Sequence, residues 1–265
     1  MHRAIMHNAP ELSVIVPAFD EESRLAPMVR EAVAHLRARR RSFELIVVDD
    51  GSTDGTARLV ARLAEECREV RLIRLASNSG KGYAVRTGVV NARGRLVLFA
   101  DADGATPFAE LDRLEQALAA GADVAIGSRA RLAAGVQVKA KLYRHLMGRT
   151  FHALVRMLTV RGIADTQCGF KLFRGEVAQE LFSRMRMKGF SFDVEVLMMA
   201  QRRGYRIAEV PVNWTHQPGS RVRLAADSAR MACDLVRIRA NLLSGEYQAP
   251  HLAAWDAAGD PRPVA

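Results

Sequence analysis

The sequence predicts an α/β protein with a Rossmann-like, mainly parallel sheet flanked by helices. Short apolar runs alternate with longer segments that have helical spacing. Strand–helix–strand units of this kind form right-handed crossovers, which place the strands parallel to each other. The chain has 265 residues, 49% of them hydrophobic, enough to bury one large core. We expect a single domain over residues 1–247, followed by a disordered, proline-containing tail at 248–265.

The first half of the chain carries the alternating pattern most clearly. Apolar, β-rich runs predict strands at residues 12–17, 43–48, 70–75, 95–100 and 123–127. Helical spacing of apolar residues predicts helices at 24–40, after Gly55 to about 67, after Gly80 to about 92, and at 108–120. Polar or Gly-rich loops follow the first four strands, and we expect these loops to share one edge of the sheet.

The pattern changes after residue 128. The segment 129–138 is polar and small, which predicts a mobile loop, and residues 139–161 have the spacing of a long helix. A compact segment at 165–173 is predicted to be a loop and then a strand. The remaining predicted elements are helices at 175–183 and 194–203, a strand at 205–212, a loop at 213–219 and a helix at 221–243.

The net charge indicates the class of partner, and the cysteine content indicates the redox compartment. The formal net charge of +10 favours an anionic partner, either nucleic acid, a phosphorylated substrate or an acidic membrane surface. The cysteines Cys67, Cys168 and Cys233 are widely spaced, which predicts a reducing compartment without disulfides or structural zinc. We expect neither a signal peptide nor a membrane span, hence a cytoplasmic protein that can lie on the cytoplasmic face of a membrane.

The segment Asp101-Ala102-Asp103 lies directly after the fourth predicted strand. Two carboxylates at the carboxyl edge of a parallel sheet suit a divalent cation that binds together with phosphate oxygens. Asp103 and Gly104 can equally form a simple turn, so this motif alone leaves both interpretations open. The neighbouring loops favour a nucleotide ligand, although neither a Walker A loop nor a Gly-x-Gly-x-x-Gly motif is present.

The loop motifs resemble the signature segments of family-2 glycosyltransferases, in the family's order. They are Val16-Pro17-Ala18-Phe19-Asp20-Glu21-Glu22, Val48-Asp49-Asp50-Gly51-Ser52-Thr53-Asp54, Gly80-Lys81-Gly82 and Asp101-Ala102-Asp103. Gly127-Ser128-Arg129 resembles a segment of the branch that glycosylates polyprenyl phosphates, and the segments at 165–173, 192–195 and 210–215 look most like the members that glucosylate dolichyl phosphate. The resemblance implies a glycosyltransferase-A fold, with a nucleotide-sugar-binding half at 12–128 and an acceptor-binding half at 129–247.

The same resemblance implies roles for individual residues on the donor side. Asp50 is expected to hydrogen-bond the base, Asp101 to contact the ribose region, and Asp103 to bind Mg²⁺ or Mn²⁺ across the diphosphate. The other residues expected to contact the nucleotide sugar are Pro17, Phe19, Glu21, Lys81, Asp165, Gln167 and Arg221. Phe19 and Asp20 depart from the tyrosine and asparagine that are common at these positions in the family.

On the acceptor side, Arg129 and Arg144 are expected to hold the acceptor phosphate, and Asp193 to align the reactants. A phosphate monoester carries about −1.5 to −2 charges at neutral pH, so its oxygen needs no strong general base. Charge neutralisation and alignment then carry the catalysis, and arginine suits phosphate geometry.

Each candidate also has a plainer interpretation. Asp54 is expected to cap a turn or helix, Cys168 to be a small buried residue, and Trp214 to be a packing residue. Asp193 and Glu195 can accept backbone hydrogen bonds, and Lys81, Arg129 and Arg144 can be solvated surface residues. The basic face of the predicted 139–161 helix fits a solvated face of a core helix or a membrane-surface helix.

The leading hypothesis is therefore an inverting, metal-dependent transfer of glucose from UDP-glucose to a polyprenyl or dolichyl phosphate. Transfer of mannose from GDP-mannose is the nearest enzymatic alternative, and a non-catalytic nucleotide-binding or nucleic-acid-binding basic protein is an alternative of another class. Because the basic residues are dispersed and no stacking motif accompanies them, we expect no nucleic-acid partner. Eukaryotic relatives of this branch usually carry an N-terminal membrane anchor. Because we expect no membrane span in this sequence, we expect the chain to meet its lipid acceptor peripherally or through a partner subunit.

Overall fold

The fold of this chain is a mixed sheet with helices on both faces. The computed structural model describes residues 9–131, 136–139, 160–218 and 224–249. Its strands are β1 (Leu12–Ala18), β2 (Phe43–Asp49), β3 (Val70–Arg74), β4 (Leu96–Ala100), β5 (Val124–Ser128), β6 (Val138–Lys139), β7 (Phe170–Arg174), β8 (Ile207–Pro211) and β9 (Trp214–Thr215). Its helices are α1 (Leu25–Ala38), α2 (Thr56–Glu66), α3 (Lys81–Val90), α4 (Leu111–Ala119), α5 (Gly175–Arg184), α6 (Phe192–Arg202) and α7 (Leu224–Leu243).

The large sheet has seven strands in the order β3-β2-β1-β4-β7-β5-β8. All its neighbouring strands are parallel except at β7, which pairs antiparallel with both β4 and β5. The predicted mainly parallel sheet is confirmed. The antiparallel strand β7 brings the 165–169 loop, which precedes it, to the edge at which β4 ends.

Both faces of the sheet are covered by apolar side chains. Alternate residues of β1 point to opposite sides, so Ile15 joins one core cluster while Val14 and Val16 join the other. The first cluster packs α3, α5, α6 and α7 against the sheet, and the second packs α1, α2 and α4. Because β1 is buried along its whole length, it fixes the centre of the fold and the position of the loop that follows.

Two predictions for the second half need correction. The predicted loops at 129–138 and 213–219 each contain a short strand, and β6 and β9 pair in parallel as a separate small sheet. Each strand is only two residues long, too short to leave an alternating pattern in the sequence. The predicted helix at 139–161 falls mainly on residues 140–159, outside the described residues, and its first residue, Lys139, belongs to β6.

The other elements agree with the sequence-based expectations within a few residues. The helix predicted at 108–120 starts as a 3-10 turn at Phe108–Glu110 and continues as α4. The last helix is described from Leu224, and the first residues of its predicted span lie outside the described part. None of the helices in the described ranges is long and apolar enough to cross a bilayer.

Candidate active site

One cavity of about 910 Å³ opens at the carboxyl ends of β1, β2 and β4. The amino-terminal ends of α3 and α6 and one side of α7 complete its wall. Ten of the predicted site residues line it: Pro17, Phe19, Glu21, Asp50, Lys81, Asp101, Asp103, Arg129, Gln167 and Asp193. The loops after four separate strands therefore meet at one edge of the sheet and surround one space, as the parallel topology requires.

Asp50 organises the side of the cavity next to β2. Its carboxylate accepts the backbone N–H groups of Ser79 (2.8 Å) and Gly80 (2.9 Å), and the residue is 3% exposed. Burial raises the pKa of Asp50, while these two hydrogen bonds oppose the rise. The carboxylate thus holds the loop that leads into α3 while it also lines the cavity.

The start of α3 depends on close backbone contact at Gly80. Gly80 has φ of +103°, and an added Cβ would lie 2.5 Å from the carbonyl oxygen of Lys188. The same carbonyl accepts the N–H of Tyr83 at 3.1 Å. A glycine at this position therefore lets the first turn of α3 dock on the 187–189 segment, which places Lys81 in the cavity.

Lys81 and Asp101 form an ion pair with Nζ–Oδ1 of 2.7 Å. The ammonium group also lies 5.3 Å from the centroid of the Phe99 ring. Although burial disfavours the charge, Asp101 and Asp193 raise the pKa of Lys81, so the lysine stays cationic. The N–H of Asp101 donates to the Gly169 carbonyl at 2.9 Å, and a Cβ at Gly169 would collide with the Asp101 carboxylate.

Asp103 lies where several carboxylates approach one another. Its Oδ1 accepts the N–H of Ala105 at 3.0 Å, and burial followed by the charge of Asp101 raises the pKa of Asp103. The pKa of Glu21 is also raised, first by burial, with contributions from the Asp103 and Asp101 charges. A cation would relieve this accumulation of negative charge.

The donor set fits a divalent ion that shares its coordination with a ligand. Among the described residues there is no group of three or more His, Cys, Asp or Glu arranged to hold a metal. Mg²⁺ commonly uses one or two carboxylates together with substrate phosphates and water. Asp103, with Asp101 nearby, fits that pattern. The described residues do not provide a closed cage made of protein ligands alone.

Arg24 is a cavity residue that the sequence interpretation overlooked. Its guanidinium donates to both carboxylate oxygens of Glu21, at 2.8 and 2.6 Å, and to the Pro218 carbonyl at 2.8 Å. Glu21 is therefore engaged by an arginine one helical turn along the chain, and the pair joins the β1 loop to the 213–218 segment. The spacing of Glu21 and Arg24 was the available signal, because residues three apart meet on a helical turn.

Arg129, which lines the cavity just after β5, forms a bidentate ion pair with the buried Asp165. Arg129 Nε and Nη2 lie 2.7 and 2.9 Å from the two oxygens of Asp165, and the Arg129 N–H donates to the same carboxylate. Although burial favours the neutral acid, Arg129 holds the pKa of Asp165 well below its ordinary value. The guanidinium carbon lies 5.5 Å from the Trp214 ring centroid, so both residues form one wall of the cavity.

Glu209, which lies outside the cavity lining, supports the Arg129–Asp165 pair through hydrogen bonds to the neighbouring backbone and side chains. Its side chain is 4% exposed, and it accepts the hydroxyl of Ser128 (2.7 Å), the N–H of Asp165 (2.8 Å) and Arg131 Nε (2.8 Å). Glu209 lies on β8, next to β5. A single acid in an otherwise apolar strand was the sequence signal for such a role.

Asp193 lies at the start of α6 and pairs with Lys171 of β7. The Nζ–Oδ1 distance is 2.5 Å, and the side chains of both residues are nearly inaccessible. Burial raises the pKa of Asp193, while Lys171 and Lys81 oppose the rise. The sequence interpretation included Asp193 but missed Lys171, whose signal is a lone lysine within the apolar run Phe170–Phe173.

The remaining predicted residues divide into three groups. Gln167 lines the cavity, and its N–H donates to Asp165 at 3.1 Å. Asp165 is buried behind Arg129 and is not itself part of the cavity lining. Arg144 and Arg221 lie outside the described residues, so their expected roles stay predictions.

Three of the plainer interpretations agree with the structure. Asp54 accepts the N–H of Thr56, the first residue of α2, at 2.9 Å. Cys168 is 0% exposed, and burial raises the pKa of its thiol to about 12. Glu195 accepts the N–H groups of Arg186 and Met187.

Comparison with known proteins gives concordant results at the level of sequence. The glycosyl transferase family 2 model matches residues 13–182. The chain is 41% identical over 249 residues to a dolichyl-phosphate beta-glucosyltransferase of Dictyostelium discoideum, covering 89% of this chain and 76% of that protein. It is 40% identical over 251 residues to the Homo sapiens protein of the same description, covering 90% of this chain and 78% of the relative.

The fold also resembles that of solved structures. A glucosyl-3-phosphoglycerate synthase from Mycobacterium tuberculosis, in complex with Mn²⁺, UDP-glucose and phosphoglyceric acid, superposes with a TM-score of 0.63. The two sequences are 19% identical, and the match covers 92% of this chain and 81% of that structure. At this identity the likeness concerns the fold.

Proposed function

The chain belongs to glycosyl transferase family 2 and is a glycosyltransferase with a glycosyltransferase-A fold, and we propose that it transfers glucose from UDP-glucose to dolichyl phosphate or a related polyprenyl phosphate. The observation that carries this proposal is the identity of about 40% over nine tenths of the chain to dolichyl-phosphate beta-glucosyltransferases. The cavity supports it, because several carboxylates and the partly buried Arg129 line it together.

We assign the donor to the wall formed by the ends of β1, β2 and β4. Asp50 faces the base, and Lys81 and Asp101 lie towards the ribose and diphosphate, all of them lining the cavity. Asp103 would hold Mg²⁺ or Mn²⁺, which, when bound, neutralises the diphosphate of the departing UDP. Complexes with Mn²⁺ and UDP-glucose exist for the fold neighbour, which supports a divalent ion without choosing between the two metals.

We assign the acceptor phosphate to the wall that contains Arg129. An oxygen of the phosphate forms a bond to the anomeric carbon while the bond from that carbon to UDP breaks, and the electron pair leaves with UDP. Attack from the face opposite the leaving group inverts the anomeric configuration. Asp165 fixes Arg129 by two hydrogen bonds, so the guanidinium is already oriented before the acceptor binds.

A lipid acceptor implies that the reaction takes place at a membrane surface. Arg144 and Arg221 are proposed to add positive charge to the phosphate and diphosphate sites, respectively. We propose that the chain reaches the membrane by its own surface or through a partner subunit.

A donor and acceptor screen tests the function directly. Purified protein is incubated with radiolabelled UDP-glucose or GDP-mannose, Mn²⁺ or Mg²⁺, and a short polyprenyl phosphate, and label in the organic phase is counted. We expect a glucosyl lipid from UDP-glucose and none from GDP-mannose. A matched reaction with 3-phosphoglycerate as acceptor controls for a water-soluble product. Label in the lipid only with GDP-mannose, or in no lipid at all, would contradict the proposal.

A further inference from the structure

Lys171 is a buried lysine in the middle of an apolar strand. It is 2% exposed, and its neighbours Phe170, Leu172 and Phe173 are equally buried. Lysine is almost never fully buried unless its ammonium group is paired. This residue therefore needs an explanation that the packing of β7 does not supply.

The contacts of Lys171 lead from the core to the cavity wall. Its Nζ donates to the Cys168 carbonyl at 2.6 Å and to Asp193 Oδ1 at 2.5 Å. It also lies 5.7 Å from the centroid of the Phe99 ring, the ring that Lys81 approaches from its own position. Asp193 lines the cavity, so the ion pair connects a buried ammonium group with a carboxylate at the cavity surface.

Two lysine–aspartate ion pairs lie close together beside Asp193, and their charges influence one another. Lys171 pairs with Asp193, and Lys81 pairs with Asp101 at 2.7 Å. The charges that act on Asp193 come from β7 (Lys171), from the start of α3 (Lys81) and from the end of β4 (Asp101). On α7, Arg230 and Asp234 line the same cavity, and Asp234 accepts the hydroxyl of Ser191 at 2.8 Å.

Stability alone is a weak explanation for such a pair. Replacing a buried ion pair by apolar side chains of similar volume is often neutral or stabilising, because the desolvation of both charges is avoided. The carboxylate of this pair lines the cavity, while Lys171 lies behind it and is 2% exposed. Its location therefore points to a role in binding the ligand.

We propose that Lys171 is a positioning residue, which keeps Asp193 an ionised carboxylate that accepts hydrogen bonds from hydroxyl groups of the bound sugar. The inference rests on the proposed function, because it takes the ligand to be a nucleotide sugar. Among the described residues, only Lys171 forms a hydrogen bond to the Asp193 carboxylate, through Oδ1, so Oδ2 is left for the ligand.

The expected pH effect follows from the sign of the interaction. Burial raises the pKa of Asp193, and the Lys171 charge opposes that rise. Removing an opposite charge at this distance raises the pKa of a carboxyl group by about 1–3 units. Without Lys171, Asp193 takes up a proton at a higher pH, so the acid limb of the activity profile moves to higher pH.

The pH dependence of kcat/KM for UDP-glucose tests this with three variants. Lys171→Met should move the acid limb upward by at least about one pH unit and recover activity at alkaline pH. Lys171→Arg, which keeps the charge, should leave the limb near its original position. Asp193→Asn should remove the part of the limb that depends on Lys171, so adding Lys171→Met to it should produce no further change in the profile. A Lys171→Met profile scaled by one factor at every pH, or a limb that still moves when Lys171→Met is added to Asp193→Asn, would overturn the inference.

A binding measurement separates this inference from the proposed transfer reaction. Calorimetric affinities for UDP-glucose and for UDP, both with Mn²⁺ at neutral pH, require no acceptor or turnover. Lys171→Met should weaken UDP-glucose binding several-fold and leave UDP binding unchanged, which also confirms that the variant is folded. Equal weakening of both ligands would contradict the positioning role. If the wild type forms no glucosyl lipid but Lys171→Met loses only the sugar-dependent affinity, the proposed function fails and the role of Lys171 stands.

Discussion

At the scale of single residues, the cavity lining and the residues behind it contain several carboxylates, each held by a specific partner. Asp50 is held by two backbone N–H groups, Asp165 by Arg129 and Asp193 by Lys171. Asp103 differs, because its hydrogen bond comes from Ala105 and the largest effect of a neighbouring charge on its pKa is that of the like charge of Asp101. Because burial and the Asp101 charge both disfavour ionisation of Asp103, a bound cation would stabilise the Asp103 carboxylate.

The first prediction concerns Asp103. Asp103→Asn should lower UDP affinity measured with Mn²⁺ by at least about tenfold, equivalent to about 1.4 kcal/mol, because it removes the proposed metal ligand. UDP affinity measured with a chelator should be unchanged. Isothermal titration calorimetry with and without Mn²⁺ measures both values.

Asp54→Asn is the matched control, because Asp54 lies outside the cavity lining and accepts the Thr56 N–H through Oδ1, an oxygen that asparagine keeps. It should keep the metal-dependent affinity of the wild type. If Asp103→Asn keeps that affinity as well, Asp103 is not a metal ligand.

At the scale of elements, the site depends on where α3 begins. Gly80 has a backbone conformation at φ +103° that L-residues rarely adopt, and the Lys188 carbonyl occupies the space of a side chain. Gly189 directly follows Lys188, and a Cβ added at Gly189 would have no heavy atom within 4 Å. The two glycines line the same cavity but differ in what they require.

The second prediction uses this contrast. Gly80→Ala should destabilise the protein by about 1–3 kcal/mol, and it should weaken UDP binding because Lys81 is displaced. Gly189→Ala should change stability by less than about 0.5 kcal/mol. Urea unfolding measures the change in stability, and UDP titration measures the change in affinity. If both quantities are the same in the two variants, a Cβ at Gly80 does not disturb the docking of α3.

At the scale of the whole molecule, Glu195 connects distant parts of the chain. Its carboxylate is fully buried and accepts hydrogen bonds from Met187 N–H (2.8 Å) and Tyr247 OH (2.8 Å). It therefore joins α6, the 185–189 segment beside the cavity, and the segment after α7. Burial raises the pKa of Glu195 to about 7 from an ordinary value of 4.5.

The third prediction is the pH dependence of stability that this carboxyl group causes. The folded state binds the proton more tightly than the unfolded state, so the contribution of Glu195 to stability is complete below pH 4.5 and is lost as the pH rises to about 7. The loss should be on the order of 3 kcal/mol, at about 1.4 kcal/mol for each pKa unit. Urea unfolding at a series of pH values should show this slope in the wild type and lack it in Glu195→Gln.

Glu246→Gln is a suitable control, since Glu246 is an exposed carboxylate that pairs with Arg186 in the same region. Its stability curve should keep the wild-type slope between pH 4.5 and 7. If Glu195→Gln does not fold, Tyr247→Phe offers a second measurement, because loss of the phenol hydrogen bond should extend the slope to higher pH. A slope that is the same in the wild type and Glu195→Gln would contradict the prediction.

Much of the fold and part of the site could be predicted from the sequence. Apolar periodicity predicted β1 to β5 and α1 to α4 within a few residues, because these patterns depend on neighbours in the chain. The parallel order of these strands then placed their terminal loops, and with them Asp50, Lys81 and Asp103, at one edge. Resemblance of the loop motifs supplied the family.

Only the tertiary structure decided how the second half completes the cavity. An apolar strand has the same composition whether it pairs parallel or antiparallel, so the sequence did not reveal that β7 runs antiparallel between β4 and β5. That direction places Lys171 against Asp193, and the return of the chain places Arg129 against Asp165. Such pairs join residues far apart in the chain, and their contacts are set by the packing of whole elements, which local sequence patterns do not encode.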